Sequence, residues 1–427
     1  MVRSDLLLVA ATTLWASTFA APMAAVSGPA GSVIHGQYLI ALKPGLQKRD
    51  LDSHLDWVEG VHKRGLSPHQ FQGVERTYTG KTDFHGYAGH FDQGTIDEIR
   101  KSPDVAAVEE DRVWVLDFLE PSNEPSDDDK STSLWKRDYY STQENSSWGL
   151  GAISHREKGA TEYLFDDRAG QGTFGYVVDS GIRISHQDFQ GRASFAFNAF
   201  NPKAKDTNAD DTFGHGTHCA GTIGGKTYGV AKKANLLAVK VFQGRHSATS
   251  IILAGFNWAA NDIVDRQRTK SAVVSMSLGG PYSNLFNLAI EKAAQEGVIS
   301  IVAAGNEAED ASLISPASAP NAITVAAVDR NWTLADYSNY GTVVDLFGPG
   351  SKIQSAWIGS DSDHKTISGT SMATPHVAGL ALYAMSVNRV KGLADITHYL
   401  TDSATEGQIT GDLRGTPNLM GYNNWNE

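Results

Sequence analysis

A chain of 427 residues is long enough for two or three domains and a sizeable core. With 41% hydrophobic and 20% charged residues it reads as a globular protein and not a disordered one. Its net charge of −12 argues against nucleic acid or an anionic membrane as partner, since both select basic patches. The single cysteine, Cys219, leaves no intramolecular disulfide, so stability must come from packing and bound ions.

Met1–Arg3 is a short basic start, Leu6–Ala16 is largely apolar, and Ala20-Ala21 supplies small residues. This pattern predicts a secretory signal peptide over residues 1–21. The apolar run is too short to span a bilayer, so the expectation is an exported, extracellular protein without a membrane anchor. Asn145 and Asn331 open glycosylation sequons that are usable on that route.

Residues 22 to about 120 predict a small α+β unit. Gln37–Leu42 and Tyr87–Phe91 read as strands, and Val105–Asp111 as a third. Leu51, Leu55, Val58 and Val61 have helical spacing. Thr95 and Glu98 have the spacing of a capping box. Glu120–Lys130, rich in Pro, Ser and acids, predicts an exposed linker. The dibasic Lys136-Arg137 follows, where a processing protease could cut; self-cleavage near Tyr139 or Tyr140 is the alternative. Residues 22–137 thus read as a removable unit and 138–427 as the working domain. The histidines of the first unit, His35, His54, His62, His69, His85 and His90, are expected on the surface.

Within 138–427, apolar strands alternate with helices: Thr173–Val178, Leu236–Val241, Ala272–Met276 and Val298–Ala304, with Ile251–Asp265 and Phe286–Glu296 between them. The alternation predicts an α/β class: a mostly parallel sheet covered on both faces. Such sheets bind ligands beyond the carboxyl ends of their strands. Asp179, Gly279 and Asn306 lie at those ends.

Three motifs carry chemistry. Val177-Val178-Asp179-Ser180-Gly181 offers a carboxylate, and Gly214-His215-Gly216-Thr217-His218 an imidazole. Gly369-Thr370-Ser371-Met372-Ala373-Thr374-Pro375 offers a hydroxyl where a helix should begin, with Pro375 in its first turn. A serine hydroxyl is a weak nucleophile until a base takes its proton. A catalytic set of Asp179, His215 and Ser371 would meet that need, with the Asn306 amide donating to an oxyanion. His218 rivals His215 on spacing alone. Asp188, Asp210 and Asp211 rival Asp179 by type, but read as solvated loop acids.

These motifs, in this order, resemble those of the subtilisin family (peptidase S8), and most closely its secreted fungal branch typified by proteinase K and oryzin. The likeness runs from about Trp148 nearly to the C-terminus, and residues 22–137 resemble an inhibitor I9-type prodomain. The resemblance implies a three-layer α/β domain and a serine endopeptidase acting on proteins and peptides. It also implies a zymogen whose own prodomain inhibits it; a monomer is the default expectation. The family pattern selects His215 over His218. By analogy, Ser277, Leu278, Gly279 and Gly280 would edge the substrate groove as a pairing strand. Ala303, Ala304 and Gly305 would line the pocket for the residue before the cut (P1). Their small, uncharged walls imply an aromatic or large apolar P1, with no acid placed to favour Lys or Arg. A structural Ca²⁺ is implied at Pro320, Ala322 and Asp345, and no catalytic metal. An inactive binding homologue is the rival reading; a lipase-type hydrolase is remote, because it would order its residues Ser, Asp, His.

Overall fold

The computed structural model describes residues 26–46, 48–65, 70–120, 134–137 (backbone only), 140–202 and 211–425. The expected signal peptide, most of the acidic linker, His69, Tyr139 and Asp210 lie outside these residues.

The first unit is an antiparallel sheet of Val33–Leu42, Gly73–Tyr78, Gly86–His90 and Val105–Val115, with helices Lys48–Arg64 and Gln93–Ile99. Alternation along the first strand sorts its side chains between two cores. Ile40 and Leu42 pack with Leu51, Val58, Phe91 and Ile96 under the unit's own helices. Leu39 and Ala41 face the other way and join a core containing Phe256 and Phe286 of the following domain. The second face of this small sheet is therefore an interface. The short helix is capped differently from expectation: Asp92 accepts from Thr95 N at 3.0 Å and from Thr95 Oγ1 at 2.9 Å. Asp92 offers two acceptors, so Thr95 falls inside the helix. Two histidines are not on the surface as expected. His54 and His62 are 3% and 9% exposed, and burial lowers the pKa of His54 despite its neighbour Asp104.

Two carboxylates of the last strand reach across the interface. Glu109 accepts from Leu285 N and Ser283 Oγ at the start of helix Asn284–Gln295. Asp111 accepts from Ser250 N and Oγ at the start of helix Thr249–Asp265. Residues 109 and 111 share one face of a strand, so one edge supplies caps to two neighbouring helices. The same strand continues into antiparallel pairing of Val113–Val115 with His246–Ala248.

The larger domain holds a nine-stranded sheet. Its order is Thr405–Glu406, Leu419–Met420, Leu346–Pro349, Ala322–Val328, Ser300–Ala303, Ala272–Met276, Phe174–Asp179, Asn235–Lys240 and Ala193–Asn198. All pairings are parallel except the first. Helices His215–Gly224 and Thr370–Tyr383 cover one face, where Val177, Ile223 and Val377 share a core. Thr249–Asp265 and Asn284–Gln295 cover the other, where Tyr176 and Val178 meet Phe256 and Phe286. This is the expected three-layer α/β arrangement. Every residue of Thr370–Tyr383 is buried, so small or apolar residues occur on all its sides, and polar ones such as Thr374 and His376 bond back to the helix carbonyls of Thr370 and Met372.

No helix among the described residues is long and apolar enough to cross a membrane.

Candidate active site

Asp179 ends the central strand Phe174–Asp179, and His215 opens the helix His215–Gly224. Both are fully buried. His215 Nδ1 lies 2.9 and 3.0 Å from the two carboxylate oxygens of Asp179. Ser180 N donates to Asp179 Oδ1 at 2.7 Å, which fixes the carboxylate plane. Burial pulls the His215 pKa down, but the adjacent Asp179 charge outweighs it and holds the group well above its ordinary 6.5. His215 Nε2 is buried without a hydrogen-bond partner.

Ser371 is the second residue of helix Thr370–Tyr383, as the small-residue motif predicts. Its hydroxyl donates to Ser277 O at 3.2 Å. Pro375 is not in the first turn but inside the helix, as its sixth residue. Its ring nitrogen has no hydrogen, so the carbonyl four residues back, Ser371 O, has no helical donor. Ser277 Oγ donates to that carbonyl at 2.8 Å, and the Cys219 thiol lies 3.5 Å from it. Cys219 Sγ is also 3.9 Å from His215 Nδ1, so one thiol is flanked by Ser371 and His215. Burial raises its pKa, which keeps it a neutral thiol. Asp179, His215 and Cys219 are the one cluster of metal-ligating spacing among the described residues.

Asn306 follows strand Ser300–Ala303. Its Oδ1 accepts from Thr370 N at 2.8 Å and Thr370 Oγ1 at 2.9 Å. With Oδ1 engaged, the amide's donor side is fixed. A β-carbon added at Gly369 would lie 3.6 Å from both Asn306 Nδ2 and Ser371 N, so two N–H donors border one small space. Asn339, from the Ser338-Asn339-Tyr340-Gly341 motif, donates to Ala304 O and accepts from Glu307 N and Glu309 N, bracing the Asn306 loop.

The remaining expected residues fall around this centre. Gly280, at the end of Ser277–Gly280, lies directly under Trp114. Its short ladder is made with Ile314-Ser315. The ladder to Val113–Val115 comes from His246–Ala248, which sequence reasoning passed over. Ala303 and Ala304 are buried, and Gly305 has φ +104°. Ile314 Cδ1 lies within 3.3 Å of a β-carbon added at Gly279 and 2.5 Å of one at Gly305, so it stands between the two walls. Glu307, an acid not anticipated there, accepts from Asn306 N and Asn339 Nδ2 beside the same wall. Asn145 and Asn331 are exposed.

His218 is structural. Its Nε2 lies 2.9 and 3.1 Å from the carbonyls of Ile353 and Lys365, and burial lowers its pKa to about 3.

Two presumed surface acids are buried. Asp188 is 7% exposed and accepts from Thr227 N at 2.7 Å. Asp211 is 5% exposed and accepts from Ser180 Oγ, Phe213 N, Gly214 N, Thr217 N and Thr217 Oγ1, at 2.8 to 3.0 Å. It caps the helix that His215 opens. Its place a few residues before a helix start was a usable signal. Asp211→Ala is expected to destabilise the fold by roughly 2–4 kcal/mol, because several buried donors lose their acceptor. Denaturant unfolding on a Ser371→Ala background, which suppresses autolysis, measures it. A loss under about 0.5 kcal/mol would place those donors in water instead.

Residues 170–422 match the Subtilase family (Peptidase_S8), and residues 37–117 match Peptidase inhibitor I9. The chain belongs to the subtilase family. Alkaline protease 1 of Aspergillus clavatus is 50% identical over 428 residues, covering 99% of this chain and 98% of the relative. The cuticle-degrading serine protease of Arthrobotrys oligospora is 42% identical over 435 residues, 98% of each. Among solved structures, a cold adapted subtilisin-like serine proteinase superposes with a TM-score of 0.59 at 38% identity, covering 65% of this chain and 98% of that one. This subtilase is a serine protease with an I9 propeptide, acting on protein substrates.

Proposed function

We propose that this subtilase is a secreted, self-processing endopeptidase in which Ser371 is the nucleophile. The observation that carries the reading is the buried His215: Asp179 holds its Nδ1 while its Nε2 has no partner. A neutral imidazole held that way is a base with one free acceptor. The Ser371 hydroxyl, bonded to Ser277 O in this state, would turn to Nε2 and give up its proton as it attacks a peptide carbonyl. His215 then protonates the leaving amine, and the Asp179 carboxylate stabilises the imidazolium. The developing oxyanion would be met by Asn306 Nδ2 and Ser371 N at a helix N-terminus.

Residues 22–137 would act as the inhibitory prodomain and 138–427 as the peptidase, with the signal peptide removed on export. The interface caps from Glu109 and Asp111 support the inhibitory role. Exposure supports Asn145 and Asn331 as glycosylation sites, and the enzyme is proposed to work as a monomer.

For specificity, Ser277–Gly280 and Ala303–Gly305 would form the walls around P1. They favour aromatic or large apolar residues, with Ile314 limiting the depth. Glu307 is already bound by two N–H groups, which weakens its attraction for a basic P1. The test is a peptide series varied only at P1. Aromatic and leucyl members should be cut fastest, Ile314→Ala should favour the aromatic ones further, and Asn306→Ala should lower kcat roughly 10²–10³-fold, the effect known from subtilisin. A series led by Lys or Arg would overturn the apolar assignment.

A structural Ca²⁺ fits Asp345. Its carboxyl is largely buried, accepts from Thr324 N at 2.7 Å, and has its pKa pushed up to about 6 by burial. Among the described residues no basic side chain offsets its burial, and Thr324 N is the one group that favours its charge. A hard cation held by this oxygen and the carbonyls of Pro320 and Ala322 would supply the missing positive charge. Bound only to the native state, it would stabilise the fold and take no part in the reaction. Calcium should raise the Tm of the wild type by several degrees over chelator, and Asp345→Asn should erase that difference. Equal shifts in both proteins would remove Asp345 from the site.

A further inference from the structure

We infer that the first bond this zymogen cuts in itself is Asp117–Phe118, twenty residues before the dibasic Lys136-Arg137. The inference rests on the proposed nucleophilic role of Ser371 and adds the substrate bond.

The register of the segment around Asp117 points to this bond. Upstream, Val113–Val115 pairs antiparallel with His246–Ala248, and Leu116 N donates to Arg245 O at 2.8 Å. Trp114 lies over Gly280, and its Nε1 donates to Thr249 Oγ1. Downstream, Leu119 exchanges two backbone hydrogen bonds of 2.9 Å with Ser368, three residues before Ser371. The chain is thus tied on both sides of one short gap. Asp117 and Phe118 fill it.

The position of Phe118 decides which bond within the gap is meant. Its ring stacks on His215 at 6.1 Å and 23°, and edges onto Trp357. It is not between the small walls at Gly279 and Gly305. Leu119 N is held by Ser368 O and Leu116 N by Arg245 O, so the Phe118 amide, carried next to the imidazole with its ring, is the one left for His215 to protonate as the leaving amine. Phe118 is therefore the first residue after the cut, and Asp117 the last before it.

The stretch after Lys136-Arg137 is placed elsewhere. Leu134–Arg137 pairs with Tyr140–Gln143, and Tyr140 with Asp166. Asp166 N is bonded to the hydroxyl of Tyr383, the last residue of the Ser371 helix. Ser371 sits at the opposite end, about 18 Å away along the axis. A cut near Arg137 is therefore a second event, made by another molecule.

Asp117 suits a single intramolecular turnover. Its carboxylate stays 71% exposed and faces Arg245 at 3.4 Å instead of entering an apolar pocket. As a free peptide such a sequence would be a poor substrate. Held in place, it needs no binding energy from that side chain. Ser371 Oγ would bond to the Asp117 carbonyl carbon as the C–N bond to Phe118 breaks, its proton passing through His215 to the Phe118 amine. Water then hydrolyses the ester, giving the Asp117 carboxylate and returning the proton to Ser371.

The experiment is N-terminal and intact-mass analysis of three full-length secreted proteins: wild type, Lys136→Ala/Arg137→Ala, and Lys136→Ala/Arg137→Ala/Ser371→Ala. Wild type is assayed in parallel on a leucyl or aromatic P1 peptide. The dibasic variant should begin at Phe118, beside a prodomain fragment ending at Asp117, and the triple variant should remain joined there. A dibasic variant that starts only near residue 138 or 140, or stays uncut while wild type hydrolyses the peptide, overturns this inference and leaves the proposed function standing. A triple variant cut at Phe118 also overturns it, because another protease then makes the cut. Absence of both the cut and peptide hydrolysis overturns the proposed function itself.

Discussion

Ser371→Ala is expected to lower kcat on a peptide substrate by about 10⁶-fold, the scale known for the nucleophile of subtilisin, with little loss of stability. The hydroxyl donates one hydrogen bond, to Ser277 O, so its removal should cost only about 1 kcal/mol. The helix start depends on other groups: Ser371 O is held by Ser277 Oγ, and Thr370 by Asn306. The two readouts should separate, with activity gone and the unfolding midpoint almost unchanged. Mature protein freed of its prodomain by an added protease allows both to be measured. A variant retaining more than about 1% of wild-type kcat would assign the nucleophile to another residue, since loss of a nucleophile removes far more than that.

Asp179→Asn is expected to lower kcat by about 10⁴-fold and to move the acid limb of the pH profile downward. An amide can still accept from Ser180 N, so the strand end should keep its shape. Its NH₂ group, however, cannot accept from His215 Nδ1 as both carboxylate oxygens do. The imidazole then shifts its proton to Nε2, the atom that must be free to take one from Ser371. The pH effect has a definite sign. In the wild type, Asp179 holds the His215 pKa well above 6.5, so the active neutral form is lost as pH falls through that raised value. Removing the charge leaves burial as the dominant influence, and the residual activity should persist to lower pH. An unchanged acid limb would mean that the limb reports a different group.

The motifs themselves were legible because each combines a local conformation with a reactive side chain. Asp179 ends an apolar strand, and small residues surround His215 and Ser371 where helices begin. Each is readable within about seven residues. The parallel sheet followed for the same reason: a strand buried on both faces has no polar alternation. Strands such as Ala322–Val328 and Ala193–Asn198 were passed over, although Ile323, Thr324, Val325 and Val328 give the first a β-branched signature.

What escaped the sequence were partnerships between distant residues. Asp211 looks like a loop acid until Ser180, 31 positions away, donates to it. Pro375 looked like a first-turn proline, but Ser277 and Cys219 take up the carbonyl it orphans, so the helix accepts it deeper. His246–Ala248 has no signature as a groove edge, because backbone pairing depends on an exposed edge and not on side-chain identity. By itself, then, the sequence determined the fold class, the chemical groups and their order, all of which depend on local patterning. Only the tertiary structure decided which carbonyls and carboxylates meet which donors, and where the chain is tied on either side of Asp117 and Phe118. Those depend on register across strands far apart in the chain, which local composition does not encode.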